Sequence, residues 1–456
     1  MAEHVQIQPD EVHDVVAQHV IGDALGLVLD LKRSRGSRLV DARTGQRYLD
    51  FYTFFASAPL GLNPPGLVDD PTFLAELAEV AVNKPANPDL YTTAYAEFVA
   101  TFARVLGDPA LPHLFFVEGG ALAVENALKV AFDWKSRLNE AQGRDPRLGS
   151  KILHLTSAFH GRSGYTLSLT NTEPNKTDRF PKFDWPRIDA PVVVHPLSDH
   201  LDEVVAAEQR ALAQARQAFE DHPHDIAAFI AEPIQGEGGD NHLRAEFFAQ
   251  MLELVHSHDA LFIFDEVQTG AGTSGTPWAY QQLGVTPDVV AFAKKVQVGG
   301  IMAGGRVDDV VENVFAVSGR INSTWGGGLT DMVRSRRILE IVETEGLIEA
   351  AAVQGRYFLA GLASLVRQTV SPDGTSALTN ARGRGLMIAV DLASREIRDA
   401  VLTDLRETEH VLALGCGVRS LRFRPALSVS QDEIDEALSA LRRSVTRIVS
   451  APQEHS

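Results

Sequence analysis

Cysteine is almost missing from this chain. One residue, Cys416, stands in 456, so no intramolecular disulfide can form, and a reducing compartment is expected. Positive charge is also short. Lys and Arg number 42 against 60 Asp and Glu, a net charge of -18. That balance argues against nucleic acid or an anionic membrane as a partner. No run of 18 apolar residues occurs, so no membrane-spanning helix is expected. The opening "MAEHVQIQPDEVHDVV" lacks the apolar core of a signal peptide. Internal repeats and low-complexity segments are absent too. These absences leave a soluble, cytoplasmic, globular protein as the expectation. At 456 residues and 45% hydrophobic content it can bury two or three domains, or one large α/β domain with additions.

Residues 38–55 alternate around "DARTGQ" and read as a hairpin turning at Thr44-Gly45. From about 88 to 320, short apolar runs alternate with helical patterns. This texture implies a mostly parallel sheet with helices on both faces. "TPWAYQQLG" is expected to be a crossover helix between two of its strands. From about 335 onward, long helical stretches precede short strands, which reads as a smaller α+β domain. Its last helix opens with "SQDE", where Ser430 and Glu433 fit a capping box.

Ligands of parallel sheets sit beyond the carboxyl ends of the strands. Five runs deliver chemistry there. "FFVEGG" places Gly119 and Gly120 before a helix, a cradle for phosphate on free N–H groups. "SAFHGRSG" brings Phe159, His160 and Arg162: an aromatic able to stack and a guanidinium able to clamp a carboxylate. "AEPIQGEGGD" brings Glu232 and Glu237 among glycines. "FIFDEVQTG" brings Asp265, Glu266 and Gln268 after a buried run, where a carboxylate needs a cationic partner. "DVVAFAKK" ends in Lys294 and Lys295, and Lys294 lies 29 residues after Asp265, about one βαβ unit. Adjacent strand residues face opposite ways, so one lysine at most enters a site. An imine-forming lysine, a phosphate cradle, a stacking aromatic and a carboxylate for a pyridinium nitrogen together suit pyridoxal phosphate.

In this order, "EGGALAVENALK", "AFHGRSGYTLSLT", "AEPIQGEGG", "IFDEVQTGAG", "AFAKK" and "STWGGG" resemble the class III, fold-type I pyridoxal-phosphate aminotransferases. This is the ornithine, GABA and acetylornithine group. The likeness runs from "RLVDARTGQRYLDF" to "LRFRPALSV", and three further stretches are most like the branch acting on the ε-amine of L-lysine. It implies a large cofactor-binding domain over 88–330. A small α+β domain would be built from 1–87 and 331–456. It implies Lys294 as the imine-forming lysine and Asp265 as partner of the pyridine nitrogen. Phe159 would stack on the ring, Gly120 and Ala121 would bind phosphate, and Gln268 would meet the phenolic oxygen. Thr324, with Asn322, would reach the active site of a second subunit in a homodimer. Arg162 would hold the carboxylate distant from the reacting amine. Arg422 would grip the α-carboxylate of 2-oxoglutarate or glutamate, and Glu237 would mask Arg422 when an ω-amine is bound. No metal is expected. Arg424 shares the strand face of Arg422, so a swap of roles or joint action stays open. Gly328 and Ala426 stand where many members carry asparagine and proline. Competing readings are another ω-amine donor (ornithine, GABA, diaminobutyrate or acetylornithine), an aminomutase or decarboxylase, or a non-catalytic protein of this fold.

Overall fold

The computed structural model describes residues 6–22, 25–370, 374 and 376–450; the first five residues, part of the opening read above, lie outside them. A seven-stranded sheet organises the larger part. Its spatial order is His113–Val117, Gly299–Ala303, Val289–Phe292, Leu261–Asp265, Ile226–Ala231, Lys151–Leu155 and Arg187–Ile188. Every pairing is parallel except those of Gly299–Ala303, which runs against both neighbours. The four central strands are buried along their whole length, and three of them, Ile226–Ala231, Leu261–Asp265 and Val289–Phe292, read accordingly as apolar runs, broken only by the terminal Asp265.

The Gly299–Ala303 strand went unseen in the sequence because it opens with two glycines, poor strand formers. Close approach explains them. A Cβ on Gly299 would fall 2.5 Å from the Gly119 carbonyl oxygen. The expected crossover helix at "TPWAYQQLG" is a single 3-10 turn, Ala279–Gln282. The buried Glu266 carboxylate accepts the Ala279 and Tyr280 N–H groups, satisfying backbone donors that a longer helix would otherwise bond.

The Gly120–Ala141 helix lies across the sheet, burying Val124, Leu128, Ala131 and Trp134. Phe98, Phe102, Phe247 and Phe262 fill the opposite side. A separate apolar cluster joins both ends of the chain, from Leu49 and Phe51 to Leu441 and Val445. There, the Arg38–Val40 and Arg47–Asp50 hairpin pairs with Val411–Leu412. Thr379–Arg384, Met387–Asp391, Ser420–Phe423 and Leu414–Cys416 form an antiparallel sheet. The Leu329–Thr344 helix spans the two bodies, with Met332 and Leu339 in one core and Ile338 and Val342 in the other. The final helix, Gln431–Ser450, starts with the Ser430–Glu433 capping box read in the sequence: Ser430 Oγ accepts the Glu433 N–H and Glu433 accepts the Ser430 N–H.

Candidate active site

A cavity of about 540 Å³ opens at the carboxyl edge of the large sheet. Its walls include Gly120, Ala121, Phe159, Arg162, Asp265 and Gln268, all singled out in the sequence, together with Lys294.

Asp265 ends its strand and is buried at 4% exposure. One carboxylate oxygen accepts from Nδ1 of the buried His160 at 2.8 Å, and the other accepts the Val267 N–H at 3.0 Å. His160 Nε2 has no partner among the described residues. The sequence brought His160 to this edge without a role. Its tie to Asp265 is a contact across 105 residues that no local pattern displays. Glu232 stands alongside, accepting the Phe159 and Gly236 N–H groups. Burial pushes its carboxyl up to about 7 despite the nearby His160.

The two lysines part differently from the expectation of strand alternation. The strand stops at Phe292, and both lysines lie in a 3-10 turn, Lys294–Val296. Lys294 takes a left-handed backbone (φ 42°), a conformation costing a non-glycine residue about 1–2 kcal/mol. Its amine faces the cavity. Burial, then the Arg422 cation, push that amine down to about 8, against the opposing pull of Asp265. Lys295 is not solvated. It is 3% exposed and donates to the Ala56 carbonyl at 3.0 Å. Ala56 closes a run of four left-handed residues, Thr53 to Ala56, and the next residue, Ser57, lines the cavity. Lys295 therefore fastens a strained wall segment. Gln297 does the same through the Ser57 carbonyl. The sequence signalled neither contact.

The Gly120–Ala141 helix begins at the cavity with no side-chain cap, so its first N–H groups and positive dipole end face the open space. A Cβ on Gly120 would come within 2.9 Å of Val267.

Beyond Gln268 stand two arginines and two carboxylates. Arg422 Nη2 donates to Glu237 Oε2 at 2.7 Å. Arg424 donates to both oxygens of Asp240, through Nη1 at 2.8 Å and through Nη2. Gln268 Oε1 accepts from Arg424 Nη2 at 2.9 Å and from Arg422 Nη1 at 3.4 Å. The shared strand face left open a swap of roles; the two arginines instead have separate carboxylate partners. Burial alone would raise the Glu237 carboxyl, but Arg422 and Lys176 outweigh it and hold it at about 2. Arg162 is exposed on the rim, its guanidinium carbon 6.0 Å from the Phe159 ring centroid. Asn322 and Thr324 are not brought to this cavity; both are exposed on a loop before the Leu329–Thr344 helix.

A sequence model of the family described as aminotransferase class-III matches residues 22–445. The chain belongs to the class III aminotransferases. It is 61% identical over 436 residues to the L-lysine-epsilon aminotransferase of Mycobacterium tuberculosis, covering 95% of each chain. To the L-lysine-epsilon aminotransferase of Streptomyces clavuligerus it is 59% identical over 444 residues, 97% of this chain and 95% of that one. A solved structure of lysine aminotransferase from M. tuberculosis in the internal aldimine form superposes with a TM-score of 0.93. There the identity is 60%, over 97% of this chain and all of that one. Class III aminotransferases depend on pyridoxal 5'-phosphate. The cavity of this aminotransferase fits that group. It offers an uncapped helix start for phosphate, an aromatic wall, a buried carboxylate fixed by histidine, and a lysine whose amine is half-deprotonated near pH 8.

Proposed function

We propose that this aminotransferase moves the ε-amine of L-lysine to 2-oxoglutarate. The products are 2-aminoadipate 6-semialdehyde, which closes spontaneously to a six-membered imine, and L-glutamate. One observation carries the reading: the lowered Lys294 amine shares a cavity with the Asp265–His160 pair, next to a buried arginine masked by Glu237. The names of the relatives at 57–61% identity support lysine as donor.

Gly120 and Ala121 would hold the cofactor's phosphate by backbone N–H groups. Phe159 would cover one ring face, Asp265 would keep the ring nitrogen protonated, and Gln268 would meet its phenolic oxygen. When bound, pyridoxal phosphate supplies an aldehyde and an electron-accepting ring. Arg162 would take the α-carboxylate of lysine, which puts the ε-amine, at the far end of the side chain, deepest in the cavity. Lys294 Nζ, with an amine near 8, is suited to accept a proton from the ε-carbon at neutral to mildly alkaline pH. While lysine is bound, Glu237 masks Arg422; when 2-oxoglutarate enters, Arg422 would grip its α-carboxylate. A homodimer completes this reading, with Thr324 and Asn322 of each copy serving the cavity of the other. The cytoplasm suits a chain whose one cysteine, Cys416, is buried and has its thiol pushed up to about 12 by burial. No helix among the described residues is long and apolar enough to cross a membrane.

A donor panel tests the reading. L-lysine, L-ornithine, GABA and diaminobutyrate are each supplied with 2-oxoglutarate, and the carbonyl product is identified. Lysine should turn over fastest and give the cyclic imine. Faster turnover of another donor, with lysine inert, would move the assignment within the ω-aminotransferases. Product formed without any keto acid would favour a mutase or decarboxylase.

A further inference from the structure

Glu237 has a second cation. Lys176, at the end of the Pro174–Lys176 turn, directs its Nζ to Glu237 Oε1, the oxygen that Arg422 does not use. Glu173 Oε2 lies 3.2 Å from the same Nζ. The ammonium also stands 5.7 Å from the centroid of the Phe159 ring, which lines the cavity. The two cations differ in setting. Arg422 is sealed at 2% side-chain exposure, with Nε unpartnered among the described residues, whereas Lys176 and Glu237 reach 12% and 24%.

We propose that Lys176 is a positioning residue that keeps hold of Glu237 while Glu237 lets go of Arg422, so that Lys176 sets how readily a dicarboxylate enters. This rests on the proposed reading, in which Arg422 receives the α-carboxylate of 2-oxoglutarate or glutamate. A carboxylate leaving a buried cation must find another partner or water, or its departure is strongly disfavoured. Glu237 already has that partner on its second oxygen. Rotation about the Lys176 contact frees Oε2 while Oε1 stays paired. Without the ammonium, an outward-swung Glu237 would sit beside Glu173 with no cation between them, and like charges would favour the closed position. The amine donor needs no opening, because Arg422 remains masked while it binds. Lys176 therefore separates the two substrates energetically although it need touch neither.

The test compares Lys176→Met and Lys176→Arg with the wild type as cofactor-loaded enzymes, reading each half-reaction alone. One half uses L-glutamate as sole donor and the other L-lysine. In Lys176→Met, the KM for glutamate and for 2-oxoglutarate should rise about 10-fold, with the KM for lysine moving less than about 3-fold. Lys176→Arg should restore the glutamate KM to within about 2-fold, because it keeps the cation. Equilibrium titration with glutarate, which has two carboxylates and no reacting group, gives a readout apart from turnover. Its Kd should weaken in Lys176→Met by the same factor. Equal shifts in both half-reactions, no shift in either, or failure of Lys176→Arg to rescue would overturn the proposal. If the wild type does not consume lysine, the donor assignment falls, and the glutamate and glutarate measurements still decide the part played by Lys176.

Discussion

Arg422 and Arg424 stand two residues apart, and each pairs with a carboxylate of one glycine-rich loop, yet they are built for different work. Arg424 is closed off. Both oxygens of Asp240 accept from it, Gln268 bonds two of its nitrogens, and neither partner of the pair exceeds 2% side-chain exposure. Arg422 has one oxygen of Glu237, a long contact to Gln268, and an Nε without a partner among the described residues. Its carboxylate is partly exposed and shared with Lys176. A buried charge with every donor satisfied is a fixed part of the structure. One with an under-satisfied fork and a partner that water can reach can exchange that partner for a ligand. Two arginines so close in sequence are thus set apart by how completely each is bonded: the incomplete bonding of Arg422, not its position along the chain, leaves it able to take a ligand.

The largest effect that could break this contrast lies at Asp240. Asp240→Ala should strand the Arg424 cation and cost about 3–5 kcal/mol in denaturant unfolding. A loss no greater than that of Glu237→Ala would mean the two pairs are equivalent. Glu237→Ala should cost less stability, about 1–2 kcal/mol, and change selectivity instead. With Arg422 unmasked, the ratio of kcat/KM for glutamate over lysine should rise about 10- to 100-fold, read by steady-state kinetics with each donor.

How far the sequence reached follows the same line. Chain-local signals placed the parallel strands, the uncapped helix start and the acid and lysine at one edge, because apolar runs and glycines act over short distances. The family resemblance named roles. Neither could show that Glu237 and Asp240 divide the two arginines, since those contacts span more than 180 residues. The Lys176–Glu237 and Lys295–Ala56 contacts, across 61 and 239 residues, were also beyond the reach of any local pattern. Strand alternation also gave the wrong ground for separating Lys294 from Lys295: a left-handed turn, not a pleat, sends them apart.

A smaller effect sharpens the picture through pH. The Lys294 amine is lowered from 10.5 to about 8, first by burial and then by Arg422. At pH 7 folded and unfolded chains both hold its proton, and the folded chain bears the whole penalty. Cofactor-free Lys294→Met should therefore be more stable than the wild type at pH 7, by about 1–3 kcal/mol. Between about pH 8 and 10.5 the folded amine is deprotonated while the unfolded one is not, so wild-type stability rises with pH relative to the variant. Matched thermal unfolding across that window checks the slope; a constant gap would mean the amine is not desolvated.

The central claim is that nitrogen leaves lysine from its ε position and arrives on 2-oxoglutarate. L-lysine carrying a heavy-nitrogen label at the ε-amine, incubated with cofactor-loaded enzyme and 2-oxoglutarate, tests it directly by mass spectrometry of both products. The label should appear in glutamate and be absent from the cyclic imine. Label retained in the imine, with unlabelled glutamate formed, would show transfer of the α-amine and contradict the account.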